Sequence, residues 1–252
     1  MVTLPGTPSD EVVDILAAGG GEISTLFVSM ATRHPDGADA DYVRWHTLDH
    51  RPEQHRMPRL RASLRLVSTQ GCRSKRAASA GRFDAVDHVM TYFFADPDGL
   101  PAFTDLGAAL HNAGRMLPLL PPVERGVYEV QRKVAAPRVK IGSDVLPWLP
   151  VRGVYLLIER GASTSSEPST DLLEVAGIAG VWSASALKVE AKLANTQPGQ
   201  WLTYCFLDDD PVATAERLQP VLRASWSESG TEPLLAAAFH VVVPYEWDRY
   251  VP

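Results

Sequence analysis

The chain has 252 residues, of which 45% are hydrophobic and 21% are charged, and its formal net charge is −6. This composition is ordinary for a globular protein of one large or two small domains. The negative charge argues against nucleic-acid binding, because nucleic-acid-binding domains carry a basic footprint.

Cysteine usage and hydropathy set the expected compartment. The two cysteines, Cys72 and Cys205, do not make a disulfide framework. The first residues lack a basic segment followed by an apolar run, and no stretch approaches the roughly 18 apolar residues that span a bilayer. We therefore expect a cytoplasmic protein that has neither a membrane nor a nucleic acid as a partner.

Six elements are predicted in the first half, in the order β-α-β-β-α-β. Alternation is clearest at 60–68, where apolar residues at every second position face one way and Arg61, Ser63 and Arg65 face the other. Residues 70–84 are predicted to be a loop. In chain order the predicted elements are a strand at 23–31, a helix at 40–50, strands at 60–68 and 85–95, a helix at 100–117 and a strand at 124–134.

The same order of elements recurs in the second half, after a connector at 135–150 that contains three prolines. The predicted elements are a strand at 151–160, a helix at 171–179, strands at 186–194 and 201–208, a helix at 211–225 and a strand at 234–243. A repeated β-α-β-β-α-β order is the ferredoxin-like pattern twice over. The sequence therefore predicts an α+β fold of two tandem ferredoxin-like units, at 22–134 and 151–246, packed sheet to sheet.

The helix predicted at 40–50 carries most of the groups able to do chemistry. Asp39 or Asp41 can accept hydrogen bonds from the N–H groups of its first turn. Pro52 is expected to end it, because a proline disfavours helical geometry in the residue before it. The i, i+3, i+4, i+7 spacing makes the inner face aromatic and rich in histidine. That face holds Tyr42, Trp45, His46 and Asp49, with His50 one turn after His46.

The stretch 44–53, RWHTLDHRPE, resembles the RWY-x-x-EH-x-P-E motif of the EthD-like branch of the dimeric α+β barrel superfamily. Trp45, His50 and the proline fall in register. Two positions differ, because His46 replaces the second aromatic residue and Asp49 replaces the acidic residue before the histidine. Proteins of this superfamily pair two ferredoxin-like units. The resemblance therefore implies a fused barrel in which the second half replaces a partner subunit, in a monomeric pseudo-dimer or a homodimer.

The resemblance also implies a function. Relatives carry out cofactor-free oxygenation, isomerisation, cyclisation or lyase steps on aromatic or polyketide-like compounds. It places His50 near the mouth of a cavity between helix and sheet, where an imidazole can take or give a proton. Alternatively, His50 bonds the last carbonyls of its helix and interacts with the helix dipole. The alternative function is that of a non-catalytic ligand-binding or accessory protein of the same fold.

Six further residues complete the candidate site. His46 and His88 are the additional catalytic candidates, although His88 lies mid-strand, where a histidine is more often a core residue with satisfied hydrogen bonds. Arg65 can clamp a substrate carboxylate or enolate oxygen, or lie solvated at a sheet edge. The substrate-binding candidates are Tyr42, Trp45, Arg65 and Tyr92.

No cofactor is predicted. The sequence contains no glycine-rich phosphate loop and no nucleophile elbow of a serine hydrolase. His46 and His50, at i and i+4, can clamp a metal with His55 or His88 as a third ligand, but the glutamate of an HExxH zinc site is missing. Haem, which some barrel relatives bind, has no motif here. The expected partner is a small organic ligand alone.

Overall fold

The computed structural model describes residues 5–161, 170–190 and 193–252. The strands in these ranges are β1 Thr25–Ala31, β2 Leu60–Val67, β3 Ala78–Ser79, β4 His88–Phe94, β5 Pro122–Ala135, β6 Gly153–Arg160, β7 Ile178–Ala186, β8 Gln200–Leu207 and β9 Glu232–Val241. The α-helices are α1 Val13–Ala18, α2 Asp39–Trp45, α3 Arg51–Gln54, α4 Gln70–Ser74, α5 Ala102–Asn112, α6 Thr170–Glu174 and α7 Pro211–Ser229.

Eight of the strands close into an antiparallel barrel. Their order is β2-β4-β1-β5-β7-β8-β6-β9, and β9 pairs back to β2 through Leu66 with Val241 and Val67 with His240. The two-residue strand β3 pairs with β9 on the same edge. The α+β class is confirmed, and the architecture is a closed barrel. In each half, the strands lie in the order second, third, first, fourth of that half.

The barrel interior is one hydrophobic core to which both halves contribute. Phe93 of the first half packs against Trp182 and Tyr204 of the second, with ring centroids 5.8 and 5.6 Å apart. Phe206 packs against Trp182 at 5.5 Å. Aromatic side chains bury large areas and dominate core energetics. The two halves of the sheet are therefore stabilised by contact with each other.

The outer face of the first-half sheet is also covered. Strand β4 is buried along its whole length. Val89 and Phe93 face the barrel core, and Met90, Tyr92 and Phe94 pack with α5 and its neighbours on the other side. A strand with both faces covered is a continuous hydrophobic run. This outer layer positions the candidate site.

Two predicted elements of the second half are misplaced. The strand predicted at 186–194 is wrong, because the strand of this position is β7, Ile178–Ala186, and residues 191 and 192 lie outside the described residues. The helix predicted at 171–179 is shorter, since α6 ends at Glu174. Strand β7 is rich in glycine, alanine and serine. At Gly180 the backbone lies so close to Leu146 and the Val134 carbonyl that a Cβ would clash, which explains the glycine at this position.

Two predictions for the first half are also wrong. The predicted loop at 70–84 contains α4, where the Thr69 hydroxyl accepts a hydrogen bond from Cys72 N–H, and strand β3. The helix predicted at 100–117 spans only Ala102–Asn112. Gly114 adopts φ +68° after its end, a left-handed conformation typical of residues that terminate helices.

Among the residues that the structure describes, no helix combines the length and the apolar character needed to cross a bilayer.

Candidate functional site

The helical segment after β1 contains a π-helical turn. Helix α2 passes into a π turn at His46–His50, whose bond runs from Arg51 N–H to the His46 carbonyl, and then into α3. The prediction that Pro52 ends the helix is wrong. The segment continues to Gln54, because the π turn ends at His50 and Pro52 is the second residue of α3, where its missing N–H costs little. π turns are rare and frequently occur at functional sites.

The π turn keeps two histidines together. The rings of His46 and His50 lie 5.4 Å apart, and both side chains are buried. Because the helix continues beyond it, His50 is not a helix-terminal residue, and the alternative that it only bonds the last carbonyls does not hold.

A cavity of about 340 Å³ lies between this segment, the outer face of the first-half sheet and α5. Apolar side chains, including Phe27, Phe103 and Leu106, form one part of its wall. Polar side chains form another. Six of the seven predicted site residues line the cavity: Tyr42, His46, His50, Arg65, His88 and Tyr92.

The seventh predicted site residue, Trp45, lies outside the cavity lining. Its ring stacks on His50, with centroids 4.9 Å apart, and packs against Tyr42 at 5.5 Å. Trp45 therefore supports two lining residues from behind.

Asp39, His88 and Arg65 form a buried chain of hydrogen bonds. His88 Nε2 lies 2.7 Å from Asp39 Oδ1, and its Nδ1 lies 2.9 Å from Arg65 Nη2. Because the guanidinium can only donate, Nδ1 accepts and the proton of the neutral ring is on Nε2. Burial lowers the pKa of His88 to about 4, and the hydrogen bond to Asp39 offsets only part of that shift. Both ring nitrogens are occupied, so neither is free for a ligand.

Arg65 is a buried cation at the cavity wall. Its side chain is only 4% exposed, its guanidinium lies 5.2 Å from the centre of the Tyr42 ring, and its Nε has no hydrogen-bond partner among the described residues. Burial lowers its pKa from the ordinary value, but an arginine stays protonated in proteins. The alternative of a solvated edge arginine is therefore wrong.

Tyr92, Gln54 and His50 form a second buried chain. The Tyr92 hydroxyl donates to Gln54 Oε1 at 2.6 Å, and Gln54 Nε2 lies 3.0 Å from His50 Nε2. In this orientation the amide nitrogen donates, so the neutral His50 ring carries its proton on Nδ1. Burial raises the pKa of Tyr92. Tyr92 is therefore a neutral donor that holds Gln54 against His50.

His46 and His50 are kept neutral. Burial lowers the pKa of His46 well below its ordinary value, and the charge of Arg65 adds to that effect. Burial also lowers the pKa of His50, although Asp49 acts in the opposite direction. The Nδ1 atoms of both rings are buried without a hydrogen-bond partner in the part of the chain that the structure describes. Two neutral imidazoles with unused nitrogens can exchange protons with a ligand.

A metal has no ligand set of the predicted kind here. Within the described ranges, no group of three or more histidine, cysteine, aspartate or glutamate side chains is placed to hold a metal ion. His55, one of the proposed third ligands, bonds Ser63 Oγ at 2.8 Å instead. His88, the other, is held by Asp39 and Arg65.

The segment 113–121, which follows α5, closes part of the cavity. Met116, Leu119 and Leu120 line it. Arg115 ties this segment to the helical segment, because its two terminal nitrogens donate to Glu53 at 2.8 Å and to Asp49 at 3.0 Å.

Two residues of the site are not among the site residues predicted from the sequence. Asp39 or Asp41 is expected to cap α2, but Asp39 makes no cap and accepts instead from His88 and from His34 N–H. Its position beside a histidine-rich helix was the available signal. Gln54 gave no such signal, because a glutamine two residues after a proline is typical of a protein surface. Only the fold brings it within hydrogen-bonding distance of Tyr92.

Comparisons with known proteins identify the fold. A structure provisionally named a chlorite dismutase is 11% identical with a TM-score of 0.56, over 91% of this chain and 99% of that chain. Chlorite dismutase from Candidatus Nitrospira defluvii in complex with imidazole is 8% identical with a TM-score of 0.50, over 93% and 98%. An anthrone oxidase-like protein is 10% identical with a TM-score of 0.46, over 88% and 92%. No protein-family model and no curated protein matches the chain. The chain thus shares its fold with the first two of these structures.

Proposed function

We propose that this protein is a cofactor-free small-molecule enzyme that acts on an aromatic or polyketide-like compound by histidine acid/base chemistry. The observation that carries the proposal is the cavity itself, where the neutral, buried rings of His46 and His50 each have an unused nitrogen. Unsatisfied polar atoms in a buried site are costly unless a ligand pairs with them.

The roles follow from the hydrogen bonds. In this scheme His50, held by Gln54 through Nε2, donates its Nδ1 proton to a substrate oxygen. His46, 5.4 Å away, can accept a proton from an acidic C–H or O–H group of the same substrate. The electron pair left on the substrate is an enolate or phenolate, which Arg65 stabilises. Oxygenation, isomerisation, cyclisation and elimination diverge after this shared step.

The remaining candidates orient the substrate or its partners. Tyr42 and Tyr92 present aromatic surface at the polar end of the cavity, and Phe27 and Phe103 continue that surface. Trp45 fixes the plane of His50 by stacking on it. His88 positions Arg65. In this scheme His88 acts through the arginine and does not touch the substrate.

We also propose that the barrel consists of two fused ferredoxin-like units, at 22–134 and 151–246, of EthD-like origin. The matching strand orders of the halves, β2-β4-β1-β5 and β7-β8-β6-β9, support the duplication. The RWHTLDHRPE stretch supports the origin. The predicted site residues all belong to the first unit, and the second, which adds Leu193 to the cavity wall, serves as scaffold in this scheme.

Proton exchange with a model ketone tests the proposal. The wild-type protein is incubated with 2-tetralone, a two-ring ketone with acidic C–H groups, in deuterated buffer, and loss of the C–H signals is followed by NMR. We expect faster exchange than in buffer, and a loss of the acceleration by about 100-fold or more in H50Q or H46Q. H111Q is the matched control, because His111 is exposed at the end of α5. Binding of the ketone without faster exchange would instead identify a ligand-binding protein.

A further inference from the structure

We infer that the natural ligand of this cavity is an aromatic monocarboxylate whose carboxylate binds Arg65. This inference deepens the proposed function and rests on the same cavity. It concerns the charge of the ligand before any reaction, which proton exchange does not decide.

The charges around the cavity carry the first step. Two of its lining residues are arginines, Arg65 and Arg125, and none of the described lining residues is an aspartate or a glutamate. A cavity lined by two arginines and by no described aspartate or glutamate favours an anion.

The hydrogen bonds of Arg65 carry the second step. A guanidinium has five N–H donors, and the hydrogen bond described for Arg65 goes to a neutral imidazole, His88 Nδ1. Among the described residues, Arg65 forms no ion pair with a carboxylate. Asp39 balances part of its charge, but only through the intervening ring of His88.

Another buried arginine of the same chain shows the contrast. The side chain of Arg76 is 6% exposed, and its two terminal nitrogens face oxygen atoms, namely the carbonyls of Asp84 and Val86 and the hydroxyl of Ser68, with Asp87 4.0 Å away. Arg65 is as deeply buried and lacks such oxygens. A buried cation without oxygen acceptors is costly, and a ligand carboxylate supplies two acceptors in the geometry that a guanidinium prefers.

The remaining part of the cavity determines the size and the apolar character of the ligand. Phe27 and Phe103 lie 4.9 Å apart between ring centroids and, with Leu106, form an apolar wall. A volume of about 340 Å³ is at the small end of ligand sites and suits one or two rings. His46 and His50 lie beside the polar end as neutral donors or acceptors, so they add no competing charge.

A matched pair of probes tests the inference. Binding of 2-naphthoate and of 2-naphthamide to the wild-type protein is measured by calorimetry at equal pH and salt. The two compounds share shape and differ in charge. We expect the acid to bind at least about tenfold more tightly than the amide. We also expect R65K to reduce that preference severalfold, because a lysine keeps the charge but loses the planar fork.

R125Q provides a second variant whose folding is not at risk, since Arg125 is only half-buried. It should lower the affinity for the acid and leave the affinity for the amide unchanged. Equal affinities for the two probes in the wild-type protein, or no binding of the acid at millimolar concentration, would overturn the inference. The two proposals fail separately. If the acid binds much more tightly than the amide but the ketone exchanges no protons, the inferred ligand class holds and the proposed enzymatic function is refuted. If the ketone exchanges protons but the acid does not bind, the enzymatic function holds and the inferred ligand class is refuted.

Discussion

His88 Nε2 lies 2.7 Å from Asp39 Oδ1, and this contact joins the first residue of β4 to the first residue of α2. Burial acts to raise the pKa of Asp39, but the hydrogen bonds from His88 and from the His34 N–H outweigh it and leave that pKa lowered. The pair is therefore a neutral imidazole hydrogen-bonded to a carboxylate. This hydrogen bond fixes the orientation of the His88 ring, so that Nδ1 faces Arg65.

Stability should depend on pH through His88. Burial lowers its pKa from an ordinary value of 6.5 to about 4 in the folded protein. The unfolded chain therefore binds one more proton between these values, so the free energy of unfolding falls as pH drops from 6.5 and levels off near 4. The loss from His88 alone is about 3 kcal/mol. Urea denaturation at several pH values between 4.5 and 7 measures it.

The variant H88N isolates this contribution. Its slope of unfolding free energy against pH should be smaller than that of the wild-type protein by about 1.4 kcal/mol per pH unit within the window. His46 and His50, whose pKa values are also lowered, keep the remaining slope. Parallel curves for the two proteins would show that the pKa of His88 is not lowered in the folded protein.

Gln54 should contribute to stability through both of its hydrogen bonds. Replacing it by leucine keeps the volume but leaves the Tyr92 hydroxyl and His50 Nε2 buried without partners. We expect Q54L to lower the free energy of unfolding by about 2 kcal/mol in urea denaturation at pH 7. The control Q131L, at an exposed position, should change it by less than about 0.5 kcal/mol. Equal small effects would mean that water replaces Gln54 at both partners.

Hydrophobic periodicity predicts the strands of the barrel well where those strands contain bulky residues. Strand β4 alternates His88, Met90, Tyr92 and Phe94 on one face, so its two faces follow from the sequence. Strand β7 does not, because small residues such as Gly180 fit a close backbone approach and resemble a loop. Closure of the sheet through β2 and β9 is a long-range pairing that local patterns do not encode.

Some features of the candidate site are likewise predictable from the sequence, and others are not. The histidines of the helical segment are visible as an i, i+4 pair, and their presence at one cavity is predictable from helix geometry. The π turn is not predictable, since it changes the hydrogen-bond register by one residue without a sequence signal. Roles that depend on a partner far along the chain are also hidden. Asp39 reaches His88 across 49 positions, and Tyr92 reaches Gln54 across 38.

Arg115 should control the opening of the segment 113–121. Its bonds to Glu53 and Asp49 are the ionic ties described between this segment and the helical segment. We expect R115Q to raise the hydrogen-exchange rate of amides in 113–121 about threefold to fivefold, with little change in the rest of the chain. The control R44Q removes an exposed ion pair with Asp41 that lies away from the segment. Similar exchange in both variants would show that the apolar contacts of Leu119 and Leu120 hold the segment without help.

Gly107 offers a way to fill the cavity without disturbing the fold. It lies on α5 at the cavity wall, and a Cβ built there meets no atom within 4 Å. G107A should bind 2-naphthoate normally and gain about 0.5–1 kcal/mol of unfolding free energy, because alanine favours a helix over glycine. G107F should keep that stability and weaken binding at least about tenfold, since its ring occupies the space of the ligand. A109F adds the same ring at an exposed position of α5 and should bind normally. Tight binding by G107F would show that the ligand binds outside this cavity. It would also contradict the proposed roles of His46 and His50.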